Sequence, residues 1–275
     1  VSQLRVGEKT VQQIKESLIT RTVSILASYR RHCAQPGSSL GQLILPEALK
    51  LLPMYVTGAM KCDAVDGGPE LTIDAKAFAQ IRTLGAGIGM TQVILYPRLL
   101  RLEVRIVLLT LIAKILSLKQ YDKENTDVLN AVQIRCAAHR LDNESGVAYL
   151  LENGFHMFLY IPSNTSSSQQ NFLRNVFGVE SVQQINVEAE LPDLYTAESR
   201  IVKELISKIY KERSRTAKVN VVRQGMDKME LIFKSLLYED KKSAAVGSPD
   251  SAKYEAPTYV DLLCHLHKEI RAQLN

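Results

Sequence analysis

The stretch Tyr149–Ile161 reads YLLENGFHMFLYI and decides the fold of the second half of the chain. Two apolar runs, Val147–Leu151 and Phe155–Ile161, flank the dipeptide Asn153-Gly154. Asn-Gly supplies the two positive φ angles of a tight hairpin turn, so the pattern predicts two antiparallel strands. Because both faces of the second run are largely apolar, we expect it to be an interior strand.

The segments around this hairpin predict a small α+β domain over residues 142–240. A helix over Ser166–Phe177 is expected to stop at Gly178. The other predicted elements are a strand over Gln184–Val187, a helix over Glu198–Arg213, a strand over Lys218–Arg223, and a helix that Asp227 and Glu230 open as a capping box. Residues 241–257 contain Ser, Ala and Pro, which favours a flexible loop.

Residues 1–97 predict an all-α domain. Apolar residues recur at helical spacing from about Glu8 to Cys33, with Thr10 and Gln13 at capping-box spacing. Two short helices are expected near residues 46–51 and 53–62. A further helix is predicted to be capped by Asp74 and to bury Phe78, Ile81 and Leu84.

A final helix is predicted over residues 258–275. Thr258 and Asp261 have capping-box spacing, and an apolar stripe is formed by Tyr259, Leu263, Leu266 and Ile270. A lone helix of this length is not stable in water. It must therefore dock, either on the α+β domain or on the N-terminal helices.

No motif in the chain predicts catalysis, a cofactor or a metal. Gly85–Gly89 reads G-x-G-x-G after a predicted helix, whereas a dinucleotide site needs G-x-G-x-x-G after a strand, so we interpret it as a connector. Cys264, His265 and His267 cluster on one predicted helix, but their side chains point in different directions and do not form four convergent ligands. The predicted site residues are therefore none, whether catalytic, cofactor-binding or metal-binding.

Composition narrows the class of protein. The 275 residues are 46% hydrophobic and carry a net charge of +5 without a long Lys/Arg run, so we expect a globular protein that does not bind nucleic acid. The four separated cysteines are typical of a reduced cytosolic protein. The segment Val104–Leu118 has only eight consecutive uncharged residues, too few to span a membrane. It predicts a packed or partner-covered helix, an interfacial membrane helix, or a segment that does not fold well.

Five collinear stretches resemble one family. They are GQLILPEALKLLPMYVTGAMKCDAV (41–65), QVILYPRLL (92–100), YLLENGFHMFLYI (149–161), DKMELIFKSLLYEDK (227–241) and YVDLLCHLHKEIRAQL (259–274). In this order they resemble the carboxy-terminal part of the cargo-adaptor subunit of the COPII inner coat, the Sec24 family. The resemblance implies a helical domain, then a gelsolin-like domain, and a last helix that returns to the helical domain. Residues 98–141 do not look like the family's linker and are interpreted as a divergent apolar and basic linker.

The resemblance implies a non-enzymatic role in vesicle transport from the endoplasmic reticulum to the Golgi. It implies a cytoplasmic location, peripheral on the membrane at exit sites and vesicles. Implied partners are the other inner-coat subunit and a small GTPase, with cargo and SNARE proteins bound through domains upstream. The family's zinc finger would also lie upstream, so no zinc ligand is transferred to this chain.

Three alternatives remain open from the sequence. One is a free-standing gelsolin-like module that binds actin or a peptide, and another is a truncated relative outside the coat. The third is an enzyme with an unrecognised Cys or His nucleophile, which would require a hyper-reactive thiol among the four cysteines.

Overall fold

The computed structural model describes residues 1–5, 7–33, 43–67, 71–106, 127–141, 146–163, 166–213, 216–240, 242–243 and 255–274. Its helices are α1 (Ser2–Arg5), α2 (Val11–Cys33), α3 (Leu52–Lys61), α4 (Ile73–Leu84), α5 (Ile88–Leu95), α6 (Ser167–Phe177), α7 (Ala197–Arg213), α8 (Met229–Ser235) and α9 (Tyr259–Leu274). Its strands are β1 (Arg98–Ile106), β2 (Asp127–Ile134), β3 (Gly146–Glu152), β4 (Met157–Ile161), β5 (Val219–Arg223), β6 (Lys242–Ser243) and β7 (Glu255–Ala256). Residues 1–97 and 235–275 form one compact unit, the helical unit, and residues 98–234 form another, the sheet unit.

Helices α2, α3 and α9 build the core of the helical unit. They share one buried cluster, composed of Val23, Leu26, Ala27, Val56, Met60, Leu262, Leu266 and Ile270. The expected capping box opens α9, because Asp261 N donates to Thr258 Oγ1 and Thr258 N donates to Asp261 Oδ2, each at 3.0 Å. Of the two docking alternatives for the last helix, docking on the N-terminal helices is confirmed.

A close backbone approach joins α3 to the end of α5. A Cβ atom on Gly58 would lie only 1.5 Å from the carbonyl oxygen of Leu95, so only glycine fits there. The two helices can therefore approach more closely than side chains would allow. This contact fixes α5, which directly follows α4 in the chain.

The sheet unit contains a five-stranded mixed sheet in the order β2-β1-β3-β4-β5. All neighbouring strands are antiparallel except β4 and β5, which are parallel and are connected through α6 and α7. The apolar residues of α6 and α7 pack on the sheet in a single buried cluster. The predicted interior strand is confirmed as β4, whose five residues are all buried, and the α+β class is confirmed with it.

Helix α6 begins and ends where the sequence predicts. Ser166 Oγ accepts a hydrogen bond from Gln169 N at the start of α6, and Gly178 ends it with a φ of +71°. The hairpin loop is longer than predicted, because residues 153–156 separate β3 from β4 and Asn153 Oδ1 accepts from the backbone N–H groups of Phe155 and His156. The side chain of Asn153 therefore stabilises a four-residue loop rather than a two-residue turn.

Two further expectations are corrected. Residues 98–106 and 127–134 are strands, so the linker interpretation of 98–141 is wrong for them; their backbones complete the sheet beside β3. The predicted strand over Gln184–Val187 is absent from this described segment, which instead follows a 3₁₀ turn over Val182–Gln184. Of the predicted helix over Val104–Leu118, residues 104–106 belong to β1 and residues 107–118 lie outside the described residues.

Candidate functional site

Buried carboxylates are candidates for acid–base chemistry. Glu152 is the most deeply buried carboxylate among the described residues of the sheet unit. Arg213 binds both of its oxygens, with Nη2 2.6 Å from Oε1 and Nε 3.2 Å from Oε2. Arg98 approaches the same carboxylate at 2.9 Å and also binds Glu212. The hydrogen bond to Glu152 holds the pKa of Arg213 above its usual value. Two permanent cations thus neutralise Glu152, which makes it a structural ion pair.

Glu230 is a second buried carboxylate with an assigned partner for each oxygen. It accepts from Tyr160 Oη at 3.2 Å, from Gly225 N at 2.7 Å and from Lys234 Nζ at 2.8 Å. Burial raises the pKa of Glu230, but these hydrogen bonds outweigh it and the pKa is lowered overall. Glu230 is therefore ionised at neutral pH and is not poised to donate a proton.

The expected capping box between Asp227 and Glu230 is wrong. The Asp227 carboxylate binds Arg223 instead, with Oδ1 2.7 Å from Nη2 and Oδ2 2.7 Å from the backbone N–H. The hydrogen bond from the Arg223 side chain lowers the pKa of Asp227. A bidentate pair with a guanidinium gives the carboxylate two charge-assisted hydrogen bonds, whereas a cap would give it one, which explains why the carboxylate turns away from the helix start.

Lys61 is a buried cation that the sequence did not predict. Its side chain is 1% exposed in the helical unit, and its Nζ donates to the carbonyl oxygens of Tyr238 and Asp240 at 2.9 and 2.5 Å. Beside it, Tyr96 Oη donates to Glu239. These contacts attach residues 238–240 to α3 and to the end of α5. A lysine at a helix end gives no sequence signal of burial, because it usually remains solvated.

The glycine-rich segment is a loop between two helices, and the His/Cys segment lies on helix α9. Gly85 and Gly87 both have negative φ and connect α4 to α5, so no strand precedes this loop and the connector interpretation is confirmed. On α9, Cys264 and His265 are exposed, whereas Leu266 is buried in the core. Within the described ranges, no group of three His, Cys, Asp or Glu side chains could hold a metal ion.

Helix α4 carries the largest departure from the expected core. Phe78, Ile81 and Leu84 were predicted to be buried, but they are 55%, 54% and 48% exposed, and Ile73 at the helix start is also exposed. Of the twelve residues of α4, all of which the structure describes, only Ala79 is buried. Thr72 rather than Asp74 caps the helix. We call Ile73, Phe78, Ile81 and Leu84 the α4 face.

The α4 face is the candidate interaction surface of the helical unit. Its residues lie on one side of the helix, and the Arg82 guanidinium lies 5.8 Å from the centre of the Phe78 ring. Contiguous exposed apolar residues bordered by charge are typical of protein interaction surfaces. The arrangement can bind an apolar partner surface, and it holds no group suited to catalysis.

Comparison with known proteins shows which proteins this chain resembles. A model described as the Sec23/Sec24 helical domain matches residues 1–90. Human Sec24C, a protein transport protein, is 39% identical over 96% of this chain, and human Sec24D is 32% identical over 95%. The crystal structure of the human COPII-coat protein Sec24c matches 96% of the chain at 36% identity, with a TM-score of 0.69. The chain is therefore similar to Sec24 proteins over nearly its whole length.

The match extends through both units but covers only part of each relative. The chain spans 21% of Sec24C, 22% of Sec24D and 29% of the solved Sec24c chain. The matches to Sec24C, Sec24D and the Sec24c structure confirm the predicted resemblance. The predicted combination of a helical domain with a small mixed sheet is also confirmed. Among the helices that the structure describes, none is long and apolar enough to cross a membrane.

Proposed function

We propose that this chain forms the carboxy-terminal part of a cargo-adaptor subunit of the COPII coat, acting in transport from the endoplasmic reticulum to the Golgi. The observation that carries the proposal is the similarity to Sec24C across 96% of the chain, which includes both the helical and the sheet unit. The proposed location is cytoplasmic, peripheral at exit sites and on vesicles. The proposed partners are the other inner-coat subunit and the small GTPase of the coat.

The proposed role is binding and scaffolding without catalysis. The buried carboxylates Glu152 and Glu230 support it, because each is held by fixed cationic or hydrogen-bonding partners. Carboxylates that are paired in this way stabilise the fold of the domain. Cargo and SNARE recognition is proposed to reside in domains upstream of this chain, as is zinc binding.

An antibody against residues 142–275, applied to native extract, tests the proposal. We expect a band several times larger than 30.7 kDa that co-precipitates the other inner-coat subunit. Pre-absorbing the antibody with the purified chain is the control, and it should remove both signals. A band near 30.7 kDa without coat partners would contradict the proposal and favour a truncated relative outside the coat.

A further inference from the structure

Tyr195 differs from the other tyrosines that the structure describes. It is 100% exposed, whereas Tyr96, Tyr149, Tyr160 and Tyr238 are buried and Tyr29, Tyr55, Tyr210 and Tyr259 are partly covered. It lies in the irregular segment 190–195, immediately before α7. The backbone there forms no helix or sheet, so an enzyme cleft can bind it in extended form without breaking ladder hydrogen bonds.

The structure holds this segment in place on both sides of Tyr195. Leu191 packs against the core of the sheet unit, and Asp193 forms an ion pair of 2.7 Å with Lys203. The next residue, Thr196, donates its hydroxyl to Asn175 O and accepts from Ser199 N at the start of α7. The backbone at Tyr195 is therefore held in place, and the phenol of Tyr195 projects into solvent.

Two cations lie in the groove beside this tyrosine. Arg200 and Lys203, one and two turns into α7, line a shallow groove of about 360 Å³ together with Tyr195, Asp193 and Glu204. Within the described part of the chain, Arg200 forms no ion pair, and Lys203 is paired only through the exposed carboxylate of Asp193. An arginine without a carboxylate partner is a ready donor for a phosphate group.

We propose that Tyr195 is a phosphorylation site and that Arg200 and Lys203 hold the resulting phosphate. A tyrosine kinase would transfer the γ-phosphoryl group of ATP to Tyr195 Oη. The new P–O bond forms as the bond between the γ-phosphorus and the β–γ bridging oxygen breaks, ADP leaves, and the phenolic proton passes to the base of the kinase. The acidic residues Glu188, Glu190 and Asp193 precede the tyrosine and fit a kinase whose substrate groove is basic.

The phosphate would rearrange the charges at the start of α7. It adds about −1.5 to −2 charges at neutral pH and three strong acceptor oxygens. The dianion would compete with Asp193 for Lys203 and would also bind Arg200. The opposing groups are Asp193 and Glu204 in the groove, whereas Glu198 is engaged by Asn175 of α6. The modification thus converts a weak surface ion pair into a phosphate site with two cations.

Phosphorylation of the 275-residue chain by a panel of purified tyrosine kinases with Mg·ATP tests the first half of the proposal. Mass-spectrometric mapping is expected to find Tyr195 as the main site, and Tyr195→Phe should reduce phosphate incorporation at least tenfold. The matched control is Tyr210→Phe on α7, which should leave incorporation unchanged. If a peptide of residues 188–198 is phosphorylated while Tyr195 in the folded chain is not, the proposal is overturned.

A ³¹P NMR titration of the phosphorylated chain tests the second half. We expect the second phosphate pKa to lie below that of the phosphorylated peptide, whose ordinary value is about 6. The double variant Arg200→Gln/Lys203→Gln should bring the chain's value back to that of the peptide. Both substitutions are on the surface, so circular dichroism should show an unchanged fold. Identical titrations of chain and peptide would show that the cations do not hold the phosphate.

Discussion

Helices α9 and α4 both carry a stripe of apolar residues, but only α9 buries it. Leu262, Leu266 and Ile270 of α9 lie in the core of the helical unit, whereas the residues of the α4 face remain about half exposed or more. Both helices are capped by a threonine, at Thr258 and Thr72. The difference teaches that periodicity selects the apolar side of a helix but does not say what covers it.

The largest difference between the two helices should come from truncating a side chain in each stripe. Leu266→Ala removes a fully buried side chain and should cost about 2–5 kcal/mol of unfolding free energy. Ile81→Ala on the α4 face should change the unfolding free energy by no more than about 0.5 kcal/mol. Urea unfolding followed by circular dichroism measures both. Equal losses would mean that α4 contributes as much to the core as α9.

A smaller effect on stability is expected at the contact between α3 and α5, the helix that follows α4. Gly58→Ala places a methyl group against the Leu95 carbonyl, so α3 and α5 must separate, at a cost of about 1–3 kcal/mol. Amide hydrogen exchange should then accelerate in α4 and α5 and remain slow in α9. The control is Gly87→Ala, where a Cβ meets nothing within 4 Å. Unchanged exchange in α4 would show that α5 does not hold it.

The two threonine caps allow the same substitution in both helices. Thr258→Ala and Thr72→Ala each remove a side-chain hydrogen bond to a helix N–H and should each cost about 1 kcal/mol of helix stability. Because α9 is part of the core, its loss should appear in global unfolding, whereas loss at α4 should appear only as local exchange. A global effect of Thr72→Ala as large as that of Thr258→Ala would contradict this distinction.

The smallest effect on stability is expected on the α4 face itself. Ile81→Asp introduces a charge at a side chain already 54% exposed, so the unfolding free energy should change by no more than about 0.5 kcal/mol. Ala79→Asp, on the opposite, buried side of the same helix, is the matched control and should be strongly destabilising. If Ile81→Asp unfolds the chain, the α4 face is covered within this molecule.

Local patterns in the sequence predict most helices and strands. They fail where the burial of a residue depends on partners far along the chain. Three features depend on residues that are close in sequence, so a local pattern predicts them. They are the hairpin at Asn153-Gly154, the end of α6 at Gly178 and the capping box of α9. The burial of Lys61 depends on carbonyl groups of residues 238 and 240, far along the chain, which no local pattern reveals. For the candidate surface, the sequence identifies Phe78, Ile81 and Leu84 of the α4 face but places them in the core.

The sequence of β1 contains a strand pattern. In Arg101–Ile106 charged and apolar residues alternate, which is the two-residue period of a strand. The long uncharged run that follows favoured a helix interpretation instead. The bulge between Leu102 and Glu103 in the β1–β3 pairing could not be predicted, because it depends on the partner strand.

The Lys61 contact also bears on the order in which the chain folds during synthesis. The helical unit is made from two stretches, 1–97 and 235–275, that the sheet unit separates, so α2 and α3 leave the ribosome long before α9 and residues 238–240 exist. The sheet unit, by contrast, is one continuous stretch and can fold as soon as residue 234 has emerged. Until α9 emerges, the sides of α2 and α3 that it covers stay exposed. A chain that has emerged only as far as a residue between 234 and 259 would therefore combine a complete sheet unit with an incomplete helical core.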